Sequence, residues 1–244
     1  MQLFGILNIT PDSFSDGGLF VEEQNATKQA EYLARNCHAI DIGAQSTRYN
    51  ANVITANDEQ KRLGNIIKNI SKFTTVSVDT FNIETQKLAI DQGAAYINDV
   101  CAFQNTEIFQ YAPKHIKFIF MHHLVVPPTK VHIMQTQKMD MVNEIKSWAL
   151  KKIDDYSTFG ITKDRLIFDV GIGFGKDAHQ SLYIINHIEE FLSLNVQIML
   201  GHSRKSFMEV IKPNANIQEK DIITQEITDE VAKKGIHYAR VHKV

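Results

Sequence analysis

Eight short apolar runs of strand-forming residues recur along this chain, at 3–7, 39–42, 75–78, 96–98, 117–121, 166–168, 197–200 and 238–241. Amphipathic stretches lie between them, at 27–36, 58–70, 83–92, 139–159 and 219–234. Strands separated by helices pair in parallel, and the helices cover the sheet's apolar faces. Three helical stretches stop at Gly93, Gly160 and Gly235, just before the next strand. Glycine accepts the left-handed cap that turns a helix back to the sheet. Eight such units in 244 residues predict a (β/α)8 TIM barrel. A doubly wound open sheet is the alternative, because alternation alone does not reveal closure. No linker or low-complexity run divides the chain, so residues 1–244 read as a single domain. The sequence ends at Val244, directly behind the eighth strand. The barrel is therefore expected to lack its eighth outer helix and to expose an apolar seam between strands eight and one.

Composition narrows the class. A net charge of −2 gives no electrostatic footprint for nucleic acid or an anionic membrane. No apolar run approaches the roughly 18 residues of a membrane span, and no charged-then-apolar leader precedes the first strand. The two cysteines, Cys37 and Cys101, fit a reducing compartment and packed side chains better than a disulfide framework. A cytoplasmic protein is expected.

The connections are lopsided. Those from helix to strand are short, whereas 10–25, 43–57 and 122–138, which follow strands, are long. All strand-to-helix loops of a barrel lie on one face, so these are candidate lids over a site there. Polar residues also gather where the apolar runs end: Asn8, Asp79, Asn98-Asp99, His122 after Met121, Asp169, Ser203-Arg204-Lys205, and Arg240 with His242. One aspartate after a strand is ordinarily a turn or cap residue. Seven strand ends that all supply polar groups to one mouth point instead to a binding site.

The motifs in these positions carry a family resemblance. Asn8-Ile9-Thr10-Pro11-Asp12-Ser13-Phe14-Ser15-Asp16-Gly17-Gly18 opens the series. Asp41 to Arg48 (DIGAQSTR), Ser77-Val78-Asp79-Thr80 and Ile97-Asn98-Asp99-Val100 follow. Asp169 to Lys176 (DVGIGFGK), Gly201 to Phe207 (GHSRKSF) and Arg240-Val241-His242 complete it. In order and spacing the set resembles the dihydropteroate synthases, the folate-pathway enzymes that sulfonamides inhibit. The resemblance implies condensation of dihydropterin diphosphate with p-aminobenzoate, releasing pyrophosphate. It places Asp79, Asn98 and Asp169 on the donor-rich edge of the pterin, with Met121 and Phe174 as apolar walls. Lys205 would meet the pterin carbonyl and the aminobenzoate side, where Ser206 joins it. Arg240 and His242 match the anion site, and Asn8 matches a ligand of the Mg²⁺ that shields the diphosphate. Phe14, Thr47 and Arg48 match residues that close over the reacting centre. Lys205, Arg48 and Arg240 are the expected catalytic groups, in an ionisation-first reaction without a protein nucleophile. Association through helices late in the barrel would make a homodimer.

Other readings are weaker. Gly171-Ile172-Gly173-Phe174-Gly175-Lys176 fails the Walker pattern, because Val170 and Asp177 stand where Gly and Ser or Thr are needed, and its glycine spacing fails the dinucleotide pattern. The His122-His123 doublet has no zinc-site spacing around it. The stripe of Ile145, Trp148 and Ile153 reads as packing. The chain departs from the family at Ala44, Gln45, Tyr49, Asn50, Val170, His202 and Lys243, and 219–224 lacks a customary glycine. A pterin-dependent methyltransferase domain or a non-catalytic pterin-binding paralogue are the alternatives.

Overall fold

A computed structural model describes residues 1–9, 18–45, 53–126, 128, 133–135 and 138–244. Its strands are β1 (Gln2–Asn8), β2 (Ala39–Gly43), β3 (Val76–Asp79), β4 (Tyr96–Asp99), β5 (Lys117–Met121), β6 (Leu166–Asp169), β7 (Gln197–Leu200) and β8 (Tyr238–Val241). All pair in parallel in sequence order, and β8 returns to β1 with Gln2 opposite Tyr238 and Phe4 opposite Arg240. That pairing closes the barrel and removes the open-sheet alternative.

The helices are α1 (Gly18–Ala34), α2 (Ala56–Leu63), α3 (Ile66–Ile70), α4 (Ile83–Asp91), α5 (Glu107–Tyr111), α6 (Lys138–Ser157), α7 (Ala178–Asn186), α8 (Met208–Ile211) and α9 (Ile217–Lys233). The predicted helix over 58–70 is two helices, because Gly64 takes φ +47 and breaks the ladder between α2 and α3. Thr55 caps α2 by accepting from the Asp58 N–H, and capping boxes at Asp177 and Asn216 start α7 and α9. No described helix is long and apolar enough to cross a membrane.

Strand residues alternate between two environments, as a pleat requires. Ile40, Ile42, Phe118, Phe120, Phe168, Ile198 and Leu200 join one large core with helix residues such as Leu33, Ile67, Ile145, Ile153 and Val231. Phe4, Ala39, Tyr96, Ile119, Ile167, Met199 and Tyr238 pack separately, inside the barrel. No described helix follows β8. The β8 side of the expected seam is covered, with Ala239 fully buried, Val241 2% exposed and Val244 against the main core, while Leu3 on β1 is half-buried. Neighbouring elements of the chain already cover that side of β8.

Candidate active site

One pleat further along the strands from the internal apolar cluster, the inward positions become polar: Asp41 after Ala39, Asn98 after Tyr96, Asp169 after Ile167 and Arg240 after Tyr238. Asp41 is the hub. Its Oδ1 accepts from Ser77 Oγ at 2.6 Å, while its Oδ2 accepts from Asn98 Nδ2 at 3.1 Å and Arg240 Nη1 at 2.8 Å. The same Nη1 donates to Asp79 Oδ2 at 2.6 Å. One guanidinium nitrogen thus ties β8 to β2 and β3, and Asp41 links β4 to them through Asn98. Burial works against the Arg240 charge, but Asp79 and Asp41 hold the group above its ordinary range. Burial pushes the Asp79 carboxyl up to about 6, with Arg240 opposing the rise and Asp41 adding to it.

Asp169 faces this network across Gly201. A side chain there would meet Asp169 Oδ2 at 3.0 Å and Arg240 Nε at 3.6 Å, so glycine lets the two approach. Asp169 Oδ1 accepts from the Gly171 N–H at 2.8 Å and starts the glycine-rich turn after β6. Lys205 crosses that turn, its Nζ donating to the Ile172 carbonyl at 2.5 Å and lying 4.9 Å above the Phe174 ring. Burial draws Lys205 down to about 8, against the pull of Asp169. Phe174, Met121 and Val100 form an apolar cluster beside these groups, with Phe81, Cys101 and Val126 at its edge.

The rim carries the remaining described residues. His242 is held by Ser203, whose Oγ accepts from the His242 N–H at 3.2 Å and lies 3.0 Å from Nδ1. Ser206 is exposed. Asn8 is exposed at the end of β1; its Oδ1 and the Asp79 Cβ flank the same side of Gly43, each within 4 Å of where a side chain there would begin. No described group of three or more His, Cys, Asp or Glu residues could hold a metal. One amide oxygen still suits Mg²⁺ that arrives with a diphosphate, since this ion keeps several waters and takes few protein ligands. Phe14, Thr47 and Arg48 lie outside the described residues, with the rest of 10–17 and 46–52.

The structure therefore brings Asp79, Asn98, Asp169, Lys205, Arg240, Met121 and Phe174 to one end of the barrel, with His242, Ser206 and Asn8 at its rim. It adds Asp41 and Ser77, which had no assigned role in the sequence reading, and gives Ser203 the task of holding His242. Asp41 was findable from parity, since it is two residues beyond inward Ala39. Asp99, beside Asn98, points the other way and organises the following loop. Its carboxylate accepts from Gln86 Nε2 and the N–H groups of Cys101 and Phe103.

The whole-chain comparisons agree with this geometry. The family model described as pterin binding enzyme matches residues 4–242. The type-3 dihydropteroate synthase of Escherichia coli is 32% identical, over 100% of this chain and 94% of its own length. A solved dihydropteroate synthase from Anaplasma phagocytophilum, with bound 6-hydroxymethylpterin-monophosphate, superposes with a TM-score of 0.90 at 30% identity, covering 100% of this chain and 93% of that one. The Xanthomonas albilineans enzyme with 4-aminobenzoic acid gives 0.88 at 28% identity, covering 99% and 87%.

Proposed function

The chain belongs to the dihydropteroate synthases, pterin-binding enzymes that condense a dihydropterin diphosphate with p-aminobenzoate, and from that membership we propose how its barrel mouth divides the work. The pterin lies between Met121 and Phe174, its donor-rich edge on Asp169 with Asn98 and Asp79 alongside. Lys205, one hydrogen still on the Ile172 carbonyl, turns another to the pterin carbonyl. The diphosphate lies toward Arg240, His242 and Asn8, with Asn8 as the protein ligand of Mg²⁺, whose charge offsets that of the diphosphate. The bond from the pterin methylene to the diphosphate oxygen breaks, and its electron pair leaves with pyrophosphate. The arylamine lone pair then forms the new C–N bond, and the amine loses one proton. Ser206 borders the aminobenzoate side.

The observation that carries this reading is the buried Asp41–Arg240–Asp79 network facing Asp169 and Lys205. Such groups keep their orientation without ligand, so little reorganisation is needed when charge develops. The pterin monophosphate in the Anaplasma relative and the 4-aminobenzoic acid in the Xanthomonas relative support the choice of substrates. Incubation with dihydropterin diphosphate, p-aminobenzoate and Mg²⁺ should release pyrophosphate and dihydropteroate in equal amounts. Pterin binding without either product would identify a non-catalytic paralogue, and pterin-dependent methyl transfer would replace the reading altogether.

Two coarser assignments complete the proposal. Ile211, Ile217 and Ile222, on and beside α8 and α9, are 46–59% exposed. This apolar surface supports a homodimer through the late helices. Cys37 and Cys101 are unpaired, which suits a protein of the cytoplasm.

A further inference from the structure

Lys176 ends the glycine-rich turn after β6 and is 5% exposed, yet among the described residues no carboxylate pairs with its Nζ. Its Nζ donates to the carbonyls of Gly171 at 2.9 Å, Phe174 at 3.2 Å and His122 at 3.3 Å, and lies 2.8 Å from His122 Nδ1. Carbonyl dipoles that converge on one point repel one another unless a cation lies among them. A neutral amine brings two hydrogens to these acceptors, whereas an ammonium brings three. Burial nonetheless draws Lys176 down to about 7, with Lys205 adding to the fall and Asp169 opposing it.

The turn that Lys176 gathers is the one that shapes the pterin wall. Ile172 supplies the carbonyl that holds Lys205, and Phe174 supplies the ring beneath it. The turn also presses on the exit of β5: Gly171 has φ +68, and a Cβ there would lie 1.9 Å from the His122 carbonyl oxygen. His122 in turn meets the edge of Trp148, the chain's one tryptophan, at a centroid distance of 4.9 Å.

We propose that Lys176 is a positioning residue of the pterin site, an internal cation that binds three carbonyls and so fixes both Phe174 and the Ile172 carbonyl beneath Lys205. This deepens the functional reading above and rests on it for the identity of the ligand. Lys176→Met keeps the bulk and removes the charge, while Lys176→Ala opens a slot that propylammonium can refill. In the unliganded protein, Lys176→Met should speed hydrogen exchange across 171–175 and change Trp148 emission. Its dissociation constant for dihydropterin diphosphate should rise about tenfold to hundredfold, with kcat at saturation within about threefold of wild type. Propylammonium, but not propanol, should slow exchange and recover affinity in Lys176→Ala. If Lys176→Met does not fold, those readings on Lys176→Ala decide the matter. Wild-type exchange and affinity in Lys176→Met would overturn the proposal. So would a joint loss of melting temperature, kcat and affinity that propylammonium leaves unchanged. If the wild-type protein bound no pterin, the functional reading would fall, while exchange and Trp148 emission would still decide the role of Lys176.

Discussion

The two ends of the barrel interior are built from the same strands, one pleat apart, and they hold opposite kinds of side chain. At the N-terminal end the Phe4 ring meets Tyr96 and Tyr238 edge-on at 5.1 and 5.3 Å, with Ile119, Ile167 and Met199 around them. At the C-terminal end the next inward positions are Asp41, Asn98, Asp169 and Arg240. Apolar burial stabilises the first layer, whose desolvation cost falls on the tyrosine hydroxyls. The second layer takes charges out of water and regains the cost only through its internal pairs. A step of two residues thus separates a layer that holds the barrel closed from a layer arranged for a ligand.

The most damaging way to break this division is Arg240→Met. It leaves Asp41 and Asp79 facing each other without their shared donor, which should destabilise by about 3–5 kcal/mol. Turnover should fall about 10²–10³-fold. Denaturant melts and steady-state rates would show whether both losses occur. Phe4→Ala should cost about 3–5 kcal/mol through the cavity it leaves. Activity per folded molecule should be unchanged, because the lost ring packs on Tyr96 and Tyr238 in the internal apolar cluster.

Asp169→Asn should cost less. It keeps an oxygen for the Gly171 N–H but loses the charge facing the pterin, a loss of about 1–3 kcal/mol in pterin binding. Titration of dihydropterin diphosphate into both proteins would measure it. Asp79→Asn sharpens the comparison through pH. The Asp79 carboxyl rises from 3.8 to about 6 on folding, so its protonation favours the fold. That contribution is complete below the unfolded value and is lost as pH rises through about 6. Asp79→Asn should therefore gain stability relative to wild type across that window and level off above it, with weaker pterin binding. Melting curves over a pH series would reveal the crossover. The smallest effect belongs to Tyr96→Phe. It removes the hydroxyl that lies 2.9 Å from His38 Nε2 and should cost about 0.5–1.5 kcal/mol, with no change in turnover.

The strands were legible because a buried parallel strand needs an unbroken apolar run, and their boundaries fall within a residue or two of the sequence-derived ones. The short helices α5 and α8 were not legible, since four or five residues give little periodicity. The break at Gly64 was hidden because apolar spacing continues across it into α3. Within the site, the motifs identify residue types but not their direction. Asn98 and Asp99 are equally polar neighbours, and only the pleat sends one into the barrel and the other toward the loop behind it. Lys176 closes a glycine-rich turn, and nothing around it in the sequence marks it as buried. Its burial depends on His122, which arrives from a different strand.

The central claim is that one pleat separates support from recognition. Calorimetric titration of dihydropterin diphosphate into wild type, Phe4→Ala and Asp169→Asn, under conditions where all three are folded, tests it most directly. The account predicts wild-type affinity for Phe4→Ala and a loss of about tenfold or more for Asp169→Asn. Equal losses in the two variants, or a loss confined to Phe4→Ala, would contradict it.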